Sequence, residues 1–426
     1  MLDIQLIRDN AEAVRKNLAR REHEHTLTLL ISVQELDRRW RSAKYESDQL
    51  ASMKNTISLE INQLRKEGKD PKQKRDELQL LSQRIEHKRN EETTLKQELD
   101  ATLIRLPNLL APDVPYGNDA SKNALIRDWG KPKKPGFELK PHAVIAEKLN
   151  IADFEKSTTI AGAGFYTLKG TLAHLNQALI RYAIDTLTNK GYEYIEPPLM
   201  MNKKAYEGVT DLTDFETMMY KIDGEDLYLI ATSEHPLVAL WTNEVIPEET
   251  LPIKLVGLSP CFRKEIGAHG IDERGLFRRH QFWKVEQVIL CKPEDSARYH
   301  EELIQNAESL WKGLRIPYRV VNICTGDIGS VAAKKYDIEA WMPRTQEYKE
   351  VVSGSNCTDY QARRLNIRFG KQGGHKELVH TLNCTGIATS RALVAILENY
   401  QNKDGSVKIP SILKKYMKTT KLSVKD

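Results

Sequence analysis

Arg263 and Glu265 stand two residues apart at the start of FRKEIGAHGIDERGLFRRHQFWKVE, residues 262–286. In an extended segment such a pair points to one face. An arginine fork grips phosphate bidentately, and a carboxylate beside it can accept the amino hydrogens of a purine. Phe282, where the apolar pattern resumes ahead of Val285 and Glu286, offers a ring to stack on that base. Glycines at 267, 270 and 275 mark a polar loop, so the stretch reads as a strand, a loop and a returning strand. The same residues would equally make a charged hairpin with a mobile loop. Glu350 and Ser353 present hard oxygens suited to Mg²⁺ bridging phosphates, or simply end a solvent-facing strand. Arg391 enters a helix where the helix dipole disfavours a cation, which points either to contact with ATP or to a surface ion pair. Thr232, Ser233 and Glu234 follow the strand-like run DLYLIA, and line a site or cap the next helix.

The elements that must position these groups can be read around them. A helix is expected over 171–190, with Leu172, Leu175, Leu179 and Ala183 on one face. KGYEYIEPPLM, residues 190–200, reads as a strand whose prolines confine it to a sheet edge. A helix follows over 295–314, strand signals over 337–356, and a small-residue stretch runs into a helix over 382–401.

Upstream the chain changes character. Residues 2–22 read as a short amphipathic helix, with Asp9 or Asn10 capping its continuation and Leu6, Ala13, Val14 and Leu18 inward. From Leu29 to Leu64, positions in alternating steps of four and three are apolar at nine of eleven, the exceptions being Ser47 and Lys54. That is a heptad seam. EGKDP, residues 67–71, interrupts it. It restarts with Leu78, Leu81, Ile85, Leu95, Leu99 and Leu106, so an antiparallel two-helix coiled coil is expected. Such an arm serves as a dimerising scaffold or as a probe for a long, thin partner.

These features predict an α+β protein. Its parts are a helical domain over 1–106, a linker over 107–135, a compact domain over 136–418, and a flexible tail over 419–426. The chain has 426 residues and a formal charge of +5, which permits a polyanionic partner without demanding one. No apolar run approaches the ~18 residues of a membrane span. The N-terminus lacks the apolar core of a signal peptide, so a cytoplasmic protein is expected. Five scattered cysteines without a CxxC predict reduced thiols and no zinc site.

The order of the parts carries a resemblance. A strand ending in proline, the Arg-x-Glu hairpin with its returning Phe, and a small-residue segment with Arg entering a helix resemble the three motifs of class II aminoacyl-tRNA synthetases. Within that class the chain is similar to the seryl-tRNA synthetases, from MLDIQLIRDN through the arm, TSE, FRKE…HQF.KVE and SNCTDYQARR to ATSRALVAILENYQ. The resemblance covers all but the short tail. It lacks the cysteine zinc ligands of the divergent type. His235, Cys357 and Cys384 depart from the usual pattern.

The resemblance implies a homodimeric serine–tRNA ligase whose catalytic domain, 136–418, is built on an antiparallel sheet flanked by helices, and which uses ATP and Mg²⁺, with neither membrane nor DNA as partner. It implies that Arg263 holds the α-phosphate and the serine carboxylate, while Glu265 reads the adenine amino group. Phe282 and Arg391 would sandwich the ring, and Lys264, Arg279, His280, Gln281, Val351 and Val352 would complete the ATP site. Glu350 and Ser353 would bind Mg²⁺. Thr232, Glu234, Glu286 and Thr385 would line the L-serine pocket, with Thr385 walling out threonine. The Gly267–Gly275 loop would cover ATP and later meet the acceptor end of serine tRNA, with selenocysteine tRNA a further candidate. The arm would grip the tRNA's long variable arm, and the 190–200 strand would be the dimer contact. An adenylating enzyme that loads a carrier protein would have no use for such an arm. A non-catalytic RNA-binding paralogue would have no need of Arg263, Glu265, Glu350 and Arg391.

Overall fold

Alternating four- and three-residue spacing makes the N-terminal part a helical hairpin. The computed structural model describes residues 1–21, 24–212, 216–265, 275–371 and 373–423. They form two compact units, residues 1–107 and 108–426. In the first unit, helices α1 (Ile4–Asp9) and α2 (Ala11–Ala19) precede the long α3 (Glu24–Lys66) and α4 (Lys72–Leu103). The 43 residues of α3 span about 64 Å. Val33, Ala43, Ile57 and Ile61 of α3 and Leu81, Ile85, Leu95 and Leu99 of α4 are buried along the seam. Gly68 turns the chain with φ +68, a conformation that glycine adopts without a Cβ penalty. Ion pairs Glu46–Lys88 and Glu60–Lys74, each 2.8 Å, fix the antiparallel register. Being exposed, each contributes at most about 1 kcal/mol; the apolar seam holds the hairpin.

The entry to the arm differs from expectation. Asn10, at φ −132 and ψ 40, breaks the first helix and shifts its phase. Val14 and Leu18 pack inward, but Leu6 is 37% exposed, Ala13 is exposed, and Ile7 takes the inner position. Asp37 clasps the hairpin's base. It accepts from Arg8 Nη2 at 2.6 Å and Nε at 3.0 Å, and from Arg41 Nε at 3.0 Å, with only 4% of its side chain exposed. Asp37→Ala should lower the stability of this unit by about 1–3 kcal/mol, because two arginines lose a buried, bidentate acceptor. A urea melt that follows the helical signal of residues 1–107 would detect it; an unchanged midpoint would mean that the clasp is solvated.

The second unit is built on one eight-stranded sheet. In chain order its strands are β1 (Ala124–Trp129), β2 (Glu193–Ile195), β3 (Ile253–Phe262), β4 (Gln281–Cys291), β5 (Tyr318–Asn322), β6 (Lys334–Met342), β7 (Glu347–Asn356) and β8 (His380–Ala388). The spatial order is β1-β5-β6-β7-β8-β4-β3-β2, and every pair is antiparallel except β2–β3. The proline-terminated β2 lies at one edge, as its prolines require. Helices α5 (Gly170–Thr188), α6 (Ser296–Leu314) and α7 (Thr389–Asn399) bury Leu179, Leu303 and Leu393 in the main core with Val285 and Ile289 of β4.

Two boundary expectations are corrected. Residues 107–135 are not a free linker: β1 is the other edge of the sheet, and Asn108 Nδ2 donates to the carbonyls of Val331 and Cys357 at 2.9 and 2.8 Å. In return Asn322 Nδ2 donates to the Asp113 carbonyl at 2.9 Å and Thr325 Oγ1 accepts the Gly117 N–H at 3.2 Å, ties that local composition does not reveal. The 419–426 tail is not wholly flexible either. Lys421–Leu422 pairs with Val407–Lys408, and Leu422 is fully buried. No helix among the described residues is long and apolar enough to cross a membrane.

Candidate active site

β4 sorts its side chains by parity. Val285, Ile289 and Cys291 enter the core under the helices. Phe282, Lys284 and Glu286 take the opposite face, which Val288 and Leu290 continue into a second apolar cluster. A charged pair thus stands on a strand buried on both faces: Lys284 Nζ lies 2.6 Å from Glu286 Oε2, with the side chains 7% and 0% exposed. Thr385 of β8 is directly opposite Glu286. A bulge after Thr385 lets Ile387 return to the core. Asn383, two residues before Thr385, donates to Glu286 Oε1 at 3.2 Å.

Glu234 opens the short helix Glu234–Ala239, and Thr232 Oγ1 caps it by accepting the Glu234 N–H at 3.1 Å. Gln361 Nε2 donates to Glu234 Oε1 at 3.2 Å, and its oxygen accepts from Thr381 Oγ1 at 2.6 Å. Burial, with the Glu286 carboxylate added, pushes the Glu234 carboxyl up to about 7. Burial also drives His235 down to about 3, so it is a neutral wall, edge-on to Tyr206 at 5.2 Å.

Arg263 follows the last residue of β3. Its Nε donates to the Ala231 carbonyl at 3.2 Å, and its guanidinium lies 5.5 Å over the Phe282 ring. Arg391, in the first turn of α7, is 2.8 Å from Glu350 Oε1 and 5.6 Å over the Phe277 ring. Each of the two rings thus carries a different arginine, Phe282 that of Arg263 and Phe277 that of Arg391. Glu265 sits at φ +45, a left-handed conformation unusual for a residue with a Cβ, and lies 3.8 Å from Arg278 Nη1.

Three residues separate Glu350 from Ser353, which in a regular strand would put them on opposite faces. A bulge lies between them: Val352 pairs with Ile338 and Glu350 with Glu339, so Val351 is the extra residue. It brings Glu350 round to the face of Ser353, whose cross-strand neighbour is Asp337. Burial pushes the Glu350 carboxyl up, but Arg391 and Lys335 outweigh it and hold the group ionised. Asp337 is pushed up by burial, is hydrogen-bonded by Ser353, and keeps a buried Oδ1 that accepts no hydrogen bond among the described residues. An ionised carboxylate, a hydroxyl and an orphaned carboxyl oxygen on one face fit a hard divalent cation.

The tRNA synthetase class II core domain (G, H, P, S and T) matches residues 216–400, and the seryl-tRNA synthetase N-terminal domain matches residues 1–110. The serine–tRNA ligase of Methanocella arvoryzae is 51% identical over 419 residues, covering 98% of this chain and 99% of the relative. That of Methanoculleus marisnigri is 53% identical over the same shares. The chain belongs to the seryl-tRNA synthetase family. It is an aminoacyl-tRNA ligase of class II. Its structure is similar to that of seryl-tRNA synthetase from Pyrococcus horikoshii complexed with ATP, with a TM-score of 0.96 and 44% identity over 100% of both chains. The cytoplasmic serine–tRNA ligase of Naegleria fowleri in complex with AMP gives 0.90 and 36%, over 100% of this chain and 99% of that one.

Within this seryl-tRNA synthetase, the candidate site residues fall into three groups, two of them singled out from sequence. Glu234 interacts with Glu286 and Arg263, Glu350 with Arg263, and Arg391 with Glu265, so these charges share one site. A second group turns elsewhere. Lys264 Nζ lies 5.7 Å over Tyr220, and Arg279 lies 5.6 Å over Phe154. His280 Nδ1 is 2.5 Å from Tyr220 Oη. Gln281 is exposed, and Val351 and Val352 lie in the core, leaving only their backbone for a ligand. The 267–274 part of the Gly267–Gly275 loop lies outside the described residues. A third group was missed: Lys284, Gln361, Asn383, Phe277 and Asp337. Lys284 alone had a visible signal, its two-residue offset from Glu286.

Proposed function

We propose that this protein activates L-serine with ATP to seryl-adenylate and pyrophosphate, then transfers serine to the terminal adenosine of serine tRNA. One observation carries the reading: Lys284–Glu286 is buried opposite Thr385 and within electrostatic reach of Glu234 and Arg263. Glu234 and Glu286 suit the serine ammonium, and Thr232 and Thr385 its small hydroxymethyl. Buried polar groups reject alanine, which would leave them unpaired. Arg263 draws the serine carboxylate and the α-phosphate together. The carboxylate oxygen then bonds to the α-phosphorus as the bond to the bridging oxygen breaks and pyrophosphate departs. No protein nucleophile is needed; positioning and fixed cations supply the catalysis. Glu265 suits the adenine amino group, and Phe282 suits the ring once Arg263 shifts to phosphate. Glu350 and Ser353, with Asp337 behind Ser353, would hold Mg²⁺, which when bound offsets the charge of the departing phosphates. In the second step the terminal ribose hydroxyl attacks the seryl carbonyl and AMP leaves. The α3–α4 arm serves the tRNA by shape and phosphate contacts. The exposed Leu199 and Met200 beyond β2 suit a contact between two copies, and the setting is the cytoplasm.

ATP–pyrophosphate exchange across the amino acids, without tRNA, tests the reading. Exchange with serine alone supports it; exchange with another amino acid overturns the pocket assignment, and none at all overturns the activity. The raised Glu234 carboxyl adds a pH signature. The serine ammonium requires the ionised form, so KM for serine should rise about tenfold per pH unit below about 7 and flatten above it. Glu234→Gln should raise KM throughout and abolish the slope. A wild-type KM that stays flat from pH 5.5 to 8 would detach Glu234 from the ammonium.

A further inference from the structure

We infer a second anion-binding site, apart from the adenylation centre, in a cleft beside β1. The cleft has a volume of about 660 Å³, and its lining includes Lys131, Lys133 and Lys134 from the segment after β1 and Lys312 and Arg315 from the end of α6. None of these five side chains makes an ion pair among the described residues. The one carboxylate in the lining, Glu398, is already engaged by Arg344 Nε at 3.2 Å and His142 Nδ1 at 3.4 Å. Five cations therefore outnumber the single carboxylate of the lining, Glu398, whose Oε1 is taken and whose buried Oε2 accepts no hydrogen bond among the described residues, and concave walls concentrate their field.

Part of the cluster has an ordinary explanation. Lys312 and Arg315 lie at the C-terminal end of α6, where cations offset the helix dipole. That accounts for two charges and leaves the three lysines of WGKPKKPG, all exposed, without a local reason. The cleft is built rather than incidental. Gly130, at φ +79, presses on Pro317, where a Cβ would come within 3.2 Å of Pro317 Cα. Gln401, itself in the lining, accepts the Lys140 N–H at 2.9 Å and donates to the Lys140 carbonyl at 3.1 Å, anchoring the chain six residues after Lys134. Tyr400, hydroxyl on the Leu314 carbonyl at 2.6 Å, and Trp129, stacked on Tyr318 at 5.9 Å, supply half-buried rings in the lining.

Several flexible point charges lining one nucleotide-sized space fit an anion with charge spread over several groups. The ligand class is a run of phosphates, carried either by a free oligophosphate or by the phosphodiesters of an RNA strand.

The test uses full-length protein whose adenylation centre is saturated with a non-hydrolysable seryl-adenylate analogue. The wild type is compared with the Lys131→Ala/Lys133→Ala/Lys134→Ala variant; before the analogue is added, both should give the same ATP–pyrophosphate exchange, showing that the variant is folded. Inorganic tripolyphosphate is titrated by calorimetry and by Trp fluorescence, and deacylated serine tRNA by filter binding across a salt series. Tripolyphosphate bound by the wild type and at least tenfold more weakly by the variant supports the site with a free oligophosphate as ligand. If only tRNA binding weakens tenfold, with the log–log salt slope shallower by about two, the site takes phosphodiesters, since each contact contributes about 0.7–0.9. Binding of both ligands within threefold of wild type overturns the site and leaves the lysines a solvated face. The oligophosphate arm stands whatever RNA the enzyme charges.

Discussion

Arg263→Ala should lower kcat/KM for serine-dependent ATP–pyrophosphate exchange by about 10²–10³-fold, the scale on which loss of one fixed donor to a developing charge is felt. The fold should survive. Among the described residues the side chain makes one hydrogen bond, to the Ala231 carbonyl, and lies over one face of Phe282, so thermal unfolding should shift by only a few degrees. Arg263→Lys should recover little, because an ammonium cannot present two parallel donors to a carboxylate and a phosphate. The loss should fall mainly on kcat, since the charge to be matched grows as the α-phosphorus is attacked. Exchange in the alanine variant within threefold of wild type would remove Arg263 from the reaction and leave Lys284 or Arg391 to carry the phosphate.

Removing the arm should separate the two half-reactions. Its base is clasped by Arg8–Asp37–Arg41, and its register is set by Lys44 with Glu92 at 3.8 Å and Glu46 with Lys88 at 2.8 Å. Deleting residues 44–91 and closing Ala43 to Glu92 with a short glycine-rich turn keeps the clasp and whole helical turns on both sides. Exchange with serine should stay within about twofold of wild type. Aminoacylation of serine tRNA should fall at least a hundredfold in kcat/KM, because recognition of RNA by shape and phosphate is lost together with the surface that makes it. A truncated enzyme that still charges tRNA at wild-type efficiency would make the arm a scaffold. One that has also lost exchange would tie the arm to the adenylation step.

The long-range organisation of this chain was visible in its sequence where periodicity or punctuation encodes it. The three-four spacing from Leu29 to Leu64 and the break at 67–71 specify a helical hairpin, because only an antiparallel partner can cover both apolar seams. Pro197 and Pro198 placed their strand at a sheet edge, since proline lacks the N–H that an interior strand must donate. The collinear order of the Arg263, Glu350 and Arg391 segments pointed to an ATP-dependent enzyme of class II. No single segment was sufficient for that.

Tertiary structure decided the rest. Strand parity put Lys284 and Glu286 on one face, but only the β4–β8 register brought Thr385 and Asn383 to them. Gln361 reaches Glu234 from 127 residues away, a link with no local trace. The bulge at Val351 joins Glu350 to Ser353 against the strand alternation. Packing chose which ring each arginine covers, setting Arg391 over Phe277 and leaving Phe282 to Arg263. Leu422 found a partner in a strand that composition marked as frayed tail. Sequence by itself determined which elements form and which charges they carry, because periodicity and backbone chemistry act over a few residues. Which charges meet, and how far burial shifts a group such as Glu234, depended on contacts across the sheet that exist only once the chain has closed on itself.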